Sequence, residues 1–87
     1  MIQKHFTIKN AQGLHMRPAT NFATAMSHYP CSVTIRFNGK EVNAKSPMLI
    51  MAACIKGGSE IDLVCDGARE EDAINAASSM IENGFGE

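Results

Sequence analysis

The sequence predicts an α+β fold, an open-faced β-sandwich in which helices cover one face of a four-stranded antiparallel sheet. Three observations lead there. Four short segments alternate apolar with polar residues, as half-buried strands do, and three longer segments repeat apolar residues at helical spacing. The segments interleave as β-α-β-β-α-β-α, with Asn38-Gly39 marking one tight hairpin. Strands and helices in that order bury themselves best as helices segregated on one side of a sheet.

Each element has its own signals. Ile2, Phe6 and Ile8 place the first strand over residues 2–8. Asn10, Gln12 and Gly13 read as loop, and Ala19, Phe22, Ala23 and Met26 form the apolar stripe of a helix over about residues 16–27. That helix ends before Tyr29-Pro30. Cys31, Val33, Ile35 and Phe37 alternate as the second strand, and residues 40–44 return as its partner with Val42 and Ala44 inward. Ser46 is a strong N-cap and Pro47 suits the first helical position, so a short helix opens there and runs through Ala53, to be broken by Gly57-Gly58. Ile61, Leu63 and Cys65 make the fourth strand, ended by Asp66-Gly67. Ala73, Ile74, Ala77, Met80 and Ile81 line the last helix, closed by Gly84. The polar alternates Lys4, Ser32, Thr34, Arg36, Glu41 and Asp62 are expected on a wet outer sheet face.

Composition narrows the function. Eighty-seven residues suffice for one domain, 1–87, with a core of its own, and 45% of them are apolar. A net charge of −1 offers no basic face for nucleic acid. No apolar run is long enough to span a bilayer, and the start of the chain lacks the order of a signal peptide. Cys31, Cys54 and Cys65 are odd in number and widely spaced, so they read as reduced, mostly buried residues of a cytoplasmic protein and not as metal ligands. No metal and no cofactor is expected.

The chemistry concentrates in Gly13-Leu14-His15-Met16-Arg17-Pro18-Ala19. A histidine beside a turn is ordinarily a solvated loop residue, and neither His5, in an alternating segment, nor His28, at a helix end, is expected to have more than a structural place. His15 differs in its setting. Pro18 in a first helical turn puts His15 at or beside the N-cap, next to N–H groups that have no partner inside the helix and to the positive end of its dipole. An anion carried on the ring would be held by those amides and by the Arg17 guanidinium. The arrangement suits a phosphohistidine.

The same residues are very similar to the active-site signature of HPr, the histidine-containing phosphocarrier family of the sugar phosphotransferase system. A second stretch, Gly39-Lys40-Glu41-Val42-Asn43-Ala44-Lys45-Ser46, resembles the family's regulatory-serine segment, and the resemblance in length and element order covers nearly the whole chain. It implies a cytoplasmic, monomeric carrier that is not itself an enzyme. On this resemblance Nδ1 of His15 accepts a phosphoryl group from enzyme I, supplied by phosphoenolpyruvate, and passes it to enzyme IIA domains, with Arg17 steadying the charge. It also implies that Ser46 is the target of an HPr kinase/phosphorylase in a regulatory branch that reaches a transcriptional regulator. Pro47 and Leu49 depart from the aliphatic residue and glycine more usual there, and Met16 from a small residue.

Ser46 also has a plain structural role as a helix cap. Met48, Leu49 and Met51 suit either core packing or an adaptable contact surface. With Met16, Thr20 and Pro47, they are the docking residues that the resemblance implies. Two other classes compete: a signalling relay of the same fold, for instance nitrogen-related, and a structural adaptor in which His15 is incidental.

Overall fold

The computed structural model describes residues 1–86 and bears out the α+β sandwich. In chain order the elements are β1 (Ile2–Thr7), α1 (Met16–Met26), β2 (Ser32–Phe37), β3 (Lys40–Asn43), α2 (Pro47–Ala52), β4 (Glu60–Asp66) and α3 (Glu70–Glu82), with a closing 3₁₀ turn, Gly84–Gly86. The sheet runs β1-β4-β2-β3 and every pairing is antiparallel. β4 is therefore central although it comes last. Its register sets Phe6 opposite Ile61 on one side and Ile35 opposite Leu63 on the other, which lines the apolar residues along one face.

Helices cover that face. α3 packs on β1 and β4, and α1 packs against both α2 and α3. Phe22, Met26, Ile35, Ile50 and Leu63 are each at most 1% exposed, so one continuous core joins both layers. Burying such a side chain contributes about 1.5–3 kcal/mol each. At the hairpin, Asn38 and Gly39 have φ of 51° and 76°, the two positive angles a type I′ turn demands. Ser46 caps α2 as expected: its Oγ accepts the Leu49 N–H at 3.3 Å, with Pro47 at the helix start.

Three details depart from the sequence expectations. Lys4 does not lie on the outer face. It shares the parity of Ile2 and Phe6 and pairs with buried Leu63, so it stands on the helix side at the sheet edge, its Nζ 5.7 Å from the centre of the Phe6 ring. A long lysine stem covers apolar surface there while its charge reaches water. Val64 lies on the outer face yet is only 7% exposed, shielded between Gln3 and Thr34. After α3, the chain makes a further turn at Phe85, whose φ is 57°. That turn inserts the Phe85 ring edge-on against Phe22, at 5.7 Å and 86°.

The outer face is otherwise polar. His5 bridges two carboxylates of the neighbouring strand, Nδ1 to Asp62 at 2.8 Å and Nε2 to Glu60 at 2.9 Å. Arg36 reaches Gln3 and Glu41 at 3.3 Å each.

Candidate functional site

The loop before α1 is fixed before the helix begins. Asn10 is buried; its side-chain Nδ2 donates to the Gly13 carbonyl, while the Gly13 N–H donates to the Asn10 carbonyl at 3.1 Å. Gly13 has a φ of +69°, where a side chain is strained. Leu14 then donates its N–H to the Ile55 carbonyl at 2.9 Å and buries its side chain. Three residues after Gly13, at Met16, the backbone enters the helix.

His15 is the N-cap of α1, with extended backbone angles of −80° and −168°; its carbonyl accepts the Ala19 N–H at 2.9 Å. Its ring makes no capping bond to the helix, so the imidazole is not spent on closing α1. No acidic residue occupies the first turn, which leaves the positive end of the helix dipole uncompensated by a carboxylate. Pro18 is buried in that turn and Arg17 is exposed beside it. A half-buried imidazole thus lines a groove next to an anion-favouring helix end.

The groove, of ≈ 340 Å³, lies between the start of α1 and the end of α2. His15, Met16 and Met51 all line it, so three of the residues singled out in the sequence meet at one place. Met48 and Leu49 are exposed, at 76% and 51%, but stand outside the groove, as do Arg17, Thr20, Ser46 and Pro47. Leu49 instead lines a second depression along β3.

The phosphorylation-site profile of the HPr component of the phosphotransferase system matches residues 2–83. The chain belongs to the HPr family. HPr-C-His from Thermoanaerobacter tengcongensis superposes with a TM-score of 0.96 at 39% identity, covering 100% of this chain and 98% of that one. The histidine-containing phosphocarrier protein of Mycoplasma gives 0.88 at 37%, over 95% and 96%. A curated relative is the phosphoryl donor subunit, DhaM, of the PEP-dependent dihydroxyacetone kinase of Providencia stuartii. It is 34% identical over 82 residues, 94% of this chain, but the chain spans only 17% of that protein's length.

Within this HPr fold the sequence reading missed part of the groove wall. Gln12, Cys54 and Lys56 line it as well. Gly57-Gly58 signalled only the end of a helix; that the segment before it returns to the Gly13 loop is a long-range contact with no local mark. The cysteines are as expected in part. Cys31 and Cys65 are buried, and burial first, then the neighbouring Cys31 thiol, pushes the Cys65 thiol up to about 11. Cys54 is exposed, because the chain turns left-handed there, at φ 55°, on leaving α2. Among the described residues no cluster suits a metal ion, and no helix is long and apolar enough to cross a membrane.

Proposed function

We propose that this chain is a cytoplasmic phosphocarrier in which Nδ1 of His15 takes a phosphoryl group from phospho-enzyme I and yields it to enzyme IIA domains of the sugar phosphotransferase system. The observation that carries this reading is the placing of His15 at the N-cap of α1, with its ring lining an open groove and engaged in no helix cap.

The geometry suits the chemistry. As the bond from phosphorus to the donor breaks, a bond to the ring nitrogen of His15 forms, and the imidazole carries the group as a phosphoramidate. The first-turn N–H groups of α1 and the Arg17 guanidinium offer donors to the phosphoryl oxygens, so positioning and charge do the catalytic work. The exposed Met16, Met48 and Leu49, with half-exposed Met51, supply an adaptable apolar surface on which different partner proteins can dock. Thr20 and Pro47 complete that surface. Phosphorylation of Ser46 by an HPr kinase/phosphorylase would add charge at the start of α2, beside the docking residues, and so regulate transfer and the reach to a transcriptional regulator. We take the carrier to act as a monomer.

Incubation with enzyme I and phosphoenolpyruvate, read by intact mass, tests the proposal. A gain of one acid-labile phosphoryl group supports it, and no gain with an active enzyme I refutes it. The likeness to a dihydroxyacetone-kinase phosphoryl donor subunit favours a second reading, in which the same His15 serves that relay. Offering phosphorylated protein to an enzyme IIA domain and to the kinase's acceptor subunit separates the two.

A further inference from the structure

Two loops interlock beneath the groove. A Cβ added to Gly13 would stand 2.6 Å from the Lys56 Cα, and one added to Gly57 would stand 2.4 Å from the Ala11 carbonyl oxygen and 2.5 Å from that of Asn10. Backbone therefore lies on backbone at both positions, and the segment after α2 cannot slide relative to the segment that leads into His15. Lys56 is itself tied into a turn: its N–H donates to Ser59 Oγ at 3.2 Å, and its carbonyl accepts the Ser59 N–H at 3.0 Å. The result is that Lys56, distant from His15 in sequence, lines the same groove. It is the one permanently charged side chain in that lining, which contains no carboxylate among the described residues.

We infer that Lys56 is a second phosphoryl-contacting cation of this site, donating from Nζ to an oxygen of the group carried on His15. The inference rests on the phosphocarrier reading above. The step keeps its balance: phosphorus leaves the donor and bonds to His15, and Lys56 retains its proton, contributing a charge-assisted hydrogen bond as the negative charge arrives. Arg17 stands in the first turn of α1 and Lys56 on the segment after α2, so cations from two separate parts of the chain are available to the group. An ammonium on a flexible stem suits this position, because it can follow the phosphoryl group while a partner protein closes over the groove.

The experiment compares wild type, Lys56→Met and Lys56→Arg. Transfer from phospho-enzyme I is expected to slow about tenfold in Lys56→Met, as for loss of one partly solvated charge-assisted contact, and to recover largely in Lys56→Arg. A second readout needs no partner: each protein is phosphorylated chemically with phosphoramidate, and the phosphohistidine is titrated by ³¹P NMR. Removing the cation is expected to move that titration to higher pH, because a neighbouring positive charge no longer opposes protonation of the ring. Slowed transfer with an unchanged titration would place Lys56 on the partner and overturn the inference, as would wild-type behaviour in both assays. If enzyme I phosphorylates none of the proteins but the titrations still differ, the function proposed above falls while the contact of Lys56 with the phosphoryl group stands.

Discussion

Gly13 abuts Ile55 so closely that a Cβ at residue 13 would lie 2.3 Å from the Ile55 carbonyl oxygen, the same oxygen that accepts the Leu14 N–H at 2.9 Å. The signature glycine thus has two demands on it, a positive φ and the absence of a side chain. Gly13→Ala is expected to cost at least about 2 kcal/mol, from left-handed strain and a backbone clash together. It should also slow phosphoryl transfer, because His15 follows the displaced loop. Urea unfolding and a transfer assay measure the two effects. Wild-type stability would mean that the loop yields without resistance.

His15→Ala is expected to abolish acid-labile phosphorylation while the protein still folds, since the ring is neither part of the core nor a cap to α1. Arg17→Ala should fold normally and transfer roughly 10²–10³-fold more slowly, the loss typical of one donor to a developing charge. Enzyme I kinetics with matched unfolding curves check both. An Arg17 variant of undiminished rate would assign the phosphoryl group to backbone amides and Lys56 alone.

The fold was legible because its signals are local. Ser46-Pro47 starts α2, Asn38-Gly39 turns β2 into β3, and the stripe of Ala19, Phe22, Ala23 and Met26 faces the core, each as a neighbour-to-neighbour rule requires. His15 was legible for the same reason, being an N-cap flanked by Gly13 and Pro18. What escaped depends on contacts between distant segments. Lys56 reaches the groove only because Gly13 and Gly57 let two loops touch. Phe85 is buried only because a left-handed turn after α3 aims it at Phe22. Lys4 differs for another reason: its polarity points to the wet face, but its parity with Phe6 sets it on the helix side, where a lysine stem can lie over an apolar ring.

Ser46→Asp should preserve the cap of α2, because Asp caps about as well as Ser, and leave stability nearly unchanged. Transfer from enzyme I is nevertheless expected to slow, since a fixed negative charge then stands one residue from Pro47 and two from exposed Met48 on the proposed docking surface. Stopped-flow transfer rates would settle the matter. Kinetics equal to wild type, with an intact fold, would confine Ser46 to its structural role.

His5 gives a prediction about pH that is independent of the carrier site. Its pKa is raised above the ordinary histidine value, first by the hydrogen bond to Glu60 and then by that to Asp62, with desolvation opposing them. A folded-state pKa above the unfolded one means that the folded protein binds the proton more tightly. The clamp's contribution is therefore fully present below the unfolded value, about 6.5, and is lost as pH rises through the folded value. Because the clamp joins edge strand β1 to β4, its loss loosens that edge first. His5→Gln should accordingly reduce the urea midpoint more at about pH 5.5 than at about pH 8.5, and raised salt should shrink the difference, as expected of exposed charges. An equal loss at both pH values would show that the imidazole contributes by packing and neutral hydrogen bonding, with no charge in the clamp.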